Sequence, residues 1–430
     1  MTATSSLAGR LARFTEVVPL VAFRGLNGGL PILVGLFIGH RWGLATLGAY
    51  TLAASFVAVG LMVVDWGCTR WLPRELALAY LQEGSGGVAT ANALRLLLAA
   101  AFLLFTWGLA VAGRMPADSA RFAIELGLLY PISIFSVNGV SDRIVRREIN
   151  GIGVAVAAGL VVFGAMAWGG LHAGWGPHGL VLTFLTGKVV EALILMRGRL
   201  ALFRVAPRHV FTTAYALWPF SVQGILAVIY SRLSIFIVEH FRHADLGLVG
   251  AAIALQNVLL LLPISISLLK YPVFTTAAAK GEWHQIRTAL GSAVAMSVAG
   301  VGAGVAVMVV GRHVISQVLH IAPSSMLFVI VFASIAALSI GAALSGLLLQ
   351  ALGRERTTAR LSFITLAASL VSQFAFIQWL GLWGVAAGIA TAELFSFTVF
   401  GAAALRAFRE KVAPQLVHAI EVPAPESLPH

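Results

Sequence analysis

The chain has 430 residues, of which 59% are hydrophobic and only 11% are charged, and its mean hydropathy is +0.92. Soluble domains carry roughly 25% charged residues, so this composition excludes a water-soluble globular protein and indicates one that lies in a bilayer. The formal net charge of +12 would suggest a nucleic-acid partner in a soluble protein, but in a membrane protein the charge must first be mapped onto the topology.

About twelve segments are apolar over the roughly 20 residues that a membrane-spanning helix needs. In chain order they are residues 17–39, 44–64, 93–113, 122–141, 152–171, 178–196, 217–240, 244–269, 289–311, 325–352, 361–380 and 383–405. The first is expected to stay as a helix, because the N-terminus lacks the long uncharged stretch of a removable signal peptide. The Pro-rich tail, residues 409–430, is predicted to be disordered and cytoplasmic.

The basic residues lie mainly on one side of these predicted helices. Of the 29 Lys and Arg residues, 20 lie in the N-terminus, the tail and the loops on their side, five lie in the opposite loops, and four lie within or at the edge of spans. By the positive-inside rule, both termini are predicted to lie in the cytoplasm. This asymmetry explains most of the net charge, so no nucleic-acid partner is expected.

A short internal repeat relates the two halves of the chain. Residues 46–54 resemble residues 245–253, and Leu47-Gly48 matches Leu246-Gly247. Six predicted spans separate the copies, so the halves share one orientation and are related by an axis along the membrane normal. We therefore predict two six-helix bundles, residues 1–200 and 201–408.

Several motifs in the second half resemble those of a known transporter family. They are Tyr230-Ser231-Arg232-Leu233-Ser234-Ile235-Phe236, Leu246-Gly247, Pro263, Tyr271-Pro272, Leu349 to Arg356, and Gly381 to Gly388. Their order is similar to that in polysaccharide transporters of the multidrug/oligosaccharidyl-lipid/polysaccharide exporter superfamily, of which the bacterial O-antigen flippases are one branch. The likeness extends from about residue 14 to residue 405. One departure is Ser234, where many relatives carry an acidic residue.

This resemblance implies an all-α polytopic fold in which two pseudo-symmetric six-helix bundles form a V around a central cavity lined by helices 1, 2, 7 and 8. It also implies a function: alternating-access flipping of a polyprenyl-pyrophosphate-linked oligosaccharide across the bacterial inner membrane, for export of a surface polysaccharide. The expected partners are this glycan lipid, membrane lipids, and a glycan polymerase with its export machinery.

Cations within the spans are the first candidates for binding such an anionic head group. An arginine or lysine at mid-span costs roughly 2.5–3.5 kcal/mol on insertion scales, so it usually faces a cavity or a partner. Arg24 lies in the first span with Asn27 on the same helical face, and its guanidinium could bind phosphate in a bidentate manner. Arg232 lies in the seventh span, where the sequence leaves open which face lines the cavity.

Other polar residues within the spans have two possible interpretations. Lys188 is a candidate for the substrate site, but an i,i+3 pair with Glu191 would neutralise it and make it structural. Gln256 and Asn257 in the eighth span could bind sugar hydroxyls or hydrogen-bond between helices. Arg95 is expected to mark the membrane interface.

The sequence indicates a transporter that is not an enzyme and that needs no cofactor or metal. It has neither a phosphate-binding loop with lysine nor paired histidines at zinc-binding spacing. A cation-coupled multidrug exporter is the main alternative, although the carboxylates within the spans, Glu125, Glu191 and Glu393, are not expected on cavity-lining helices. A membrane glycan polymerase or ligase is a further alternative, disfavoured because the predicted external loops are short.

Overall fold

A computed structural model describes residues 30–69, 71–72, 75–76, 86–146, 148–199, 202 and 204–421. The described chain is all-helical. The first six helices are α1 (Leu30–Trp42), α2 (Leu44–Asp65), α3 (Gly86–Val111), α4 (Ala117–Val145), α5 (Ile149–His172) and α6 (Pro177–Met196). The second six are α7 (Val210–Phe241), α8 (Leu246–Lys280), α9 (Trp283–Val310), α10 (Pro323–Ala351), α11 (Glu355–Leu380) and α12 (Leu382–Glu421).

Eleven of these helices, α2 to α12, are long and apolar enough to cross a bilayer, so the protein is a multi-pass membrane protein. A helix suits this solvent because it satisfies every backbone polar group internally. Helix α1 is described only from Leu30 onward, so the start of the first predicted span lies outside the described residues. Helices α4 and α10 each bend once, at Leu128 and Ile335.

The order and number of spans agree with the sequence, but several helix ends differ. Helix α8 continues to Lys280, beyond the predicted end at 269, and α3 begins at Gly86 rather than at 93. In α8 the apolar span ends at Ser267, so hydropathy does not define where that helix ends. Helix α12 continues to Glu421, into the tail predicted to be disordered from residue 409, and residues 422–430 lie outside the described residues.

The helices pack as two bundles, each with its own core. Val34, Tyr50, Phe122, Tyr130 and Phe184 belong to the core of the first bundle. The second bundle, from α7 to α12, is centred on a different core that includes Ile235, Val249, Phe332, Ala336 and Val385. The start of α7 is an exception, because Leu217 packs with Cys68 and Leu72 of the first half, across the predicted boundary at residue 200.

The two ends of the bundles differ in charge. The end that carries the connections after α1, α3, α5, α7, α9 and α11 is called the arginine-poor end. The opposite end, which carries the other connections, is called the arginine-rich end. At the arginine-poor end, α1 and α2 are joined by the single residue Gly43, whose φ of 90° is costly for other residues.

The internal repeat has a direct structural counterpart. Gly48 of α2 and Gly247 of α8, which occupy matching positions in the repeat, contact each other where the bundles meet at the arginine-poor end. A Cβ atom added to Gly48 would lie 2.9 Å from the Gly247 backbone nitrogen. A Cβ atom on Gly247 would collide with the Leu44 carbonyl group. Equivalent residues therefore meet near the pseudo-symmetry axis, as expected for two halves of the same orientation.

We predict that Gly48→Ala destabilises the protein by about 1–3 kcal/mol, because overpacking against backbone cannot be relieved by a side-chain rotation. The thermal unfolding midpoint in detergent measures the effect. Gly153→Ala in α5 is the matched control, since no atom lies within 4 Å of its added Cβ. Equal midpoints for the two variants would contradict the close approach of α2 and α8.

Candidate functional site

A cavity of about 290 Å³ lies between the two bundles. The first bundle contributes α1, α2, α4 and α6, and the second contributes α7 and α8. The lining residues are Pro31, Ile32, Gly35, Leu47, Tyr50, Thr51, Ala54, Val57, Ala58, Leu61, Leu126, Leu129, Phe184, Arg232, Gly250, Ile253, Ala254, Asn257, Leu261 and Ile264. The predicted cavity between helices 1, 2, 7 and 8 is therefore present, and α4 and α6 complete its wall.

Arg232 provides the cationic side chain among the described lining residues of this central cavity. It lies near the middle of the membrane-spanning part of α7, Ser221–Phe241. Its Nε atom is buried and has no hydrogen-bond partner, and no carboxylate forms an ion pair with it among the described residues. A buried donor left unpaired costs about 1–3 kcal/mol, so this guanidinium is available to an anionic ligand.

The sequence left open which face of α7 lines the cavity, and the structure answers this question. Arg232 lines the central cavity, whereas Tyr230, two residues earlier, lines a separate cavity inside the second bundle. Residues two apart on a helix point in nearly opposite directions. Helix α7 therefore forms part of the partition between the two cavities.

The other polar groups of the central cavity come from α2 and α8. Asn257 lines the cavity, while Gln256 is half-buried and is not part of its lining. Tyr50 and Thr51 also line it, and the Tyr50 hydroxyl donates a hydrogen bond to the Pro31 carbonyl at 3.1 Å. Sequence reasoning missed both residues, although both lie within the repeated segment 46–54.

Of the remaining predicted site residues, two are not described by the structure and one lies away from the cavity. Arg24 and Asn27 fall outside the described residues, so their role stays a prediction. Lys188 is not part of the described cavity lining; its Nζ lies 2.8 Å from a Glu191 carboxylate oxygen, and the side chains are 14% and 5% exposed. This i,i+3 pair is the structural interpretation that the spacing had indicated.

Arg95, expected to mark the membrane interface, is fully buried within the first bundle. Its guanidinium donates hydrogen bonds to Asn138 Oδ1 at 3.0 Å and to the Ile134 carbonyl at 3.3 Å, and it pairs with Asp65 at 3.4 Å. Burial within the bundle does not give the depth of Arg95 in the bilayer, and its partner Asp65 is the last residue of α2, so the interface position stays a prediction. The Nε atom of Arg95, like that of Arg232, has no hydrogen-bond partner, but Asp65 neutralises Arg95, whereas no ion pair involves Arg232 among the described residues.

The second cavity, of about 590 Å³, lies within the second bundle and has more polar residues in its lining. Glu393 of α12 lines it together with Tyr230, Gln223, Gln350 and several Ser and Thr residues of α10 and α11. The Tyr230 hydroxyl faces the Glu393 carboxyl group without reaching a standard hydrogen-bond geometry. Glu393 is buried, and none of the described ion pairs involves it.

Glu125, Glu191 and Glu393 were not expected on cavity-lining helices. This is corrected for α4 and α6, which carry Glu125 and Glu191 and line the central cavity, although neither carboxylate is part of its lining, and Glu393 lines the second cavity. The other two carboxylates have close partners: Glu125 contacts His178 at 2.9 Å, and Glu191 pairs with Lys188. Ser234, where many relatives carry an acid, is buried and lines neither cavity. Among the described residues, no group of three metal-binding side chains occurs.

We predict that the central cavity is hydrated. In a Cys68→Ala background, Asn257→Cys should react with a membrane-impermeant, charged thiol reagent in detergent-purified protein, because reaction requires water around the thiol. Val258→Cys is the matched control, since the adjacent Val258 side chain is 44% exposed but is not part of the cavity lining. Equal labelling of the two cysteines would contradict a hydrated site at Asn257.

The comparisons with known proteins address the fold. No protein-family model matches the sequence, and no curated protein matches it. An inward-facing multidrug resistance transporter of the MATE family, in the MOP superfamily, is 15% identical, with a TM-score of 0.67 over 94% of this chain and 96% of that one. The lipid II flippase MurJ, in an inward closed conformation, is 11% identical, with a TM-score of 0.69 over 94% and 93% of the two chains. The eukaryotic MATE transporter AtDTX14 is 15% identical, with a TM-score of 0.64 over 94% and 99%. The chain therefore has the fold of the membrane transporters of this superfamily.

Proposed function

We propose that this protein flips a polyprenyl-pyrophosphate-linked oligosaccharide across the bacterial inner membrane by alternating access, for export of a surface polysaccharide. The observation that carries the proposal is Arg232, which lines a cavity between two bundles near the middle of its span and has no carboxylate partner among the described residues. A pyrophosphate group is the part of such a substrate that lipid excludes most strongly. A guanidinium matches it in charge and can bind it with paired hydrogen bonds.

The cavity wall also suits the rest of the substrate. Most of the lining is apolar, which suits a region that an isoprenoid chain passes, while Asn257, Tyr50 and Thr51 offer polar groups to a sugar. The cavity lies between the bundles, so rocking of one bundle against the other could expose it to either side. The fold is shared with a lipid II flippase as well as with multidrug exporters.

The proposed orientation places the arginine-rich end and both termini in the cytoplasm. Substrate would then enter from the arginine-rich side and leave at the arginine-poor side. Arg24 and Asn27, predicted on the first helix, would add a second cation and an amide to the site. A glycan polymerase and its export machinery would receive the product.

We predict that Arg232→Gln abolishes glycan export and causes lipid-linked repeat units to accumulate in the cytoplasmic leaflet. Loss of charge-assisted hydrogen bonds to phosphate, worth roughly 1.5–3 kcal/mol, corresponds to about a 10- to 100-fold loss of affinity. Arg232→Lys should restore part of the export, since lysine keeps the charge but not the paired geometry. Analysis of lipid-linked intermediates and surface glycan in cells measures the effect.

The matched control is Arg114→Gln, which removes an arginine that is exposed at the arginine-poor end. Membrane abundance of each variant must equal that of the unmodified protein. Full export by the Arg232→Gln variant at normal abundance would exclude Arg232 from the site and remove the main support for an anionic substrate.

A cation-coupled multidrug exporter is the second candidate, and Glu393 favours it. A buried carboxylate beside Tyr230 in a polar cavity is the type of group that such exporters need in order to bind a coupling ion. A flippase can also be coupled to a cation gradient, so Glu393 bears only on the energy source. The phenotype of a deletion strain distinguishes a drug substrate from a glycan-lipid substrate. Deletion of an exporter should cause drug or dye sensitivity with normal surface glycan.

We predict that Glu393→Gln uncouples transport from the cation gradient while the fold is preserved, because glutamine keeps the shape but cannot ionise. Transport by the reconstituted protein, with and without an imposed proton or sodium gradient, measures the effect. Glu355→Gln, which changes an exposed carboxylate at the start of α11, is the matched control. An unchanged gradient dependence in Glu393→Gln would rule out this carboxylate as the coupling group.

A further inference from the structure

Two histidines join the bundles at the arginine-poor end. His40 lies near the end of α1, and His320 lies in the connection between α9 and α10. The His40 Nδ1–H group donates a hydrogen bond to the Val318 carbonyl at 2.6 Å, and the His320 Nε2–H group donates one to the His40 carbonyl at 3.0 Å. The two rings are also stacked, with an interplanar angle of 2° and centroids 5.7 Å apart.

The backbone conformation around His320 stabilises this arrangement of the two rings. His320 has a φ of 52°, a left-handed conformation that is uncommon for residues other than glycine. The Ser316 hydroxyl donates a hydrogen bond to the Ile321 carbonyl at 2.6 Å and closes the turn. A strained residue persists only where its surroundings fix it. The turn therefore aims the His320 ring across the bundle interface.

We propose that His40 and His320 form a proton-sensitive latch that holds the arginine-poor end closed at neutral pH and releases it on acidification. The proposal rests on the alternating-access part of the proposed function, since it assigns what opens one end of the central cavity. It adds a role for two residues that lie outside both cavities.

The charge states explain the direction of the effect. In the neutral form, each ring has one N–H, and each of these protons is used in a bond that crosses the interface. Both rings are exposed, so they exchange protons with the solvent on that side, and histidine is the side chain that ordinarily changes charge between pH 5 and pH 8. Protonation of both puts two positive charges face to face at about the ring separation.

The surrounding charges add to this repulsion. His40 is followed by Arg41, and the segment before His320 carries Arg312 and His313. The first turns of α2 and α10 carry no acidic residue, and Asp245 at the start of α8 pairs with Arg242. Among the described residues, no carboxylate pairs with either ring. A protonated imidazole donates stronger hydrogen bonds than a neutral one. At an exposed site, however, it would donate equally strong hydrogen bonds to water in the open state. The charge repulsion therefore determines that protonation favours opening.

The test is a distance measurement across the arginine-poor end. Spin labels at Ala117→Cys in α4 and Ser324→Cys in α10, both exposed positions, report the separation of the bundles in a Cys68→Ala background. Between pH 8 and pH 5.5, we expect the open-to-closed ratio to rise by roughly 3-fold to 100-fold, the range given by Coulomb repulsion between water-like and protein-surface dielectric constants.

Neutral analogues that keep each donor provide the controls. His40→Asn places an amide N–H near the Nδ1 position, and His320→Gln places one near Nε2. Because the repulsion needs both charges, either single variant should remove most of the acid-induced opening, while the distance at pH 8 stays that of the closed form. Opening that persists in both single variants would overturn the latch, as would tighter closure of the unmodified protein on acidification.

The same labelled protein separates this proposal from the proposed function. A distance that changes with an added isoprenoid pyrophosphate, but not with pH, contradicts the latch and supports the substrate assignment. A distance that changes with pH, but not with that ligand, supports the latch and counts against the substrate assignment. A distance that changes with neither contradicts both.

Discussion

A guanidinium group held at the middle of a bilayer must find a partner, water or an anionic ligand, because hydrocarbon offers it none of these. Arg232 meets this constraint by lining the cavity between the bundles. The other described charges within the spans meet it differently. Arg95 is surrounded by Asp65, Asn138 and a backbone carbonyl, and Lys188 pairs with Glu191. The contrast between satisfied and available charges separates structural residues from candidate binding residues.

Helix α7 of the second bundle has two faces with different surroundings. Helix α7 presents Arg232 to the central cavity and Tyr230 to the cavity that contains Glu393. A cation between the bundles suits an anionic substrate, and a carboxylate inside one bundle suits a small cation. One helix therefore contacts both candidate sites, so a rotation or bend of α7 would change the geometry of both.

Sequence reasoning predicted those features that the bilayer itself imposes. The number and order of spans follow from hydrocarbon thickness, and the orientation of the halves follows from the even number of spans between the repeats. The contact of Gly48 with Gly247 gives that repeat a structural basis. Helix ends outside the hydrocarbon were less accurate, as the continuation of α8 to Lys280 illustrates.

The surroundings of single charges could not be predicted, because they depend on packing between distant segments. The partners that bury Arg95 could not be identified from the sequence, because Asp65 and Asn138 are 30 and 43 positions away. Lys188 could be interpreted correctly because its partner is three residues along the same helix. Glu393 was recognised as a carboxylate within a span, but its cavity is formed by α7, α8, α10 and α11 as well as α12, and no local pattern reveals that.

The most direct measurement compares the binding of an isoprenoid pyrophosphate with that of the neutral isoprenol of the same chain length. If Arg232 receives the anionic head group, the purified protein binds the pyrophosphate at least tenfold more tightly, and Arg232→Gln loses that preference while still binding the isoprenol. Equal affinity for the two lipids, or a preference that survives in Arg232→Gln, would contradict the account.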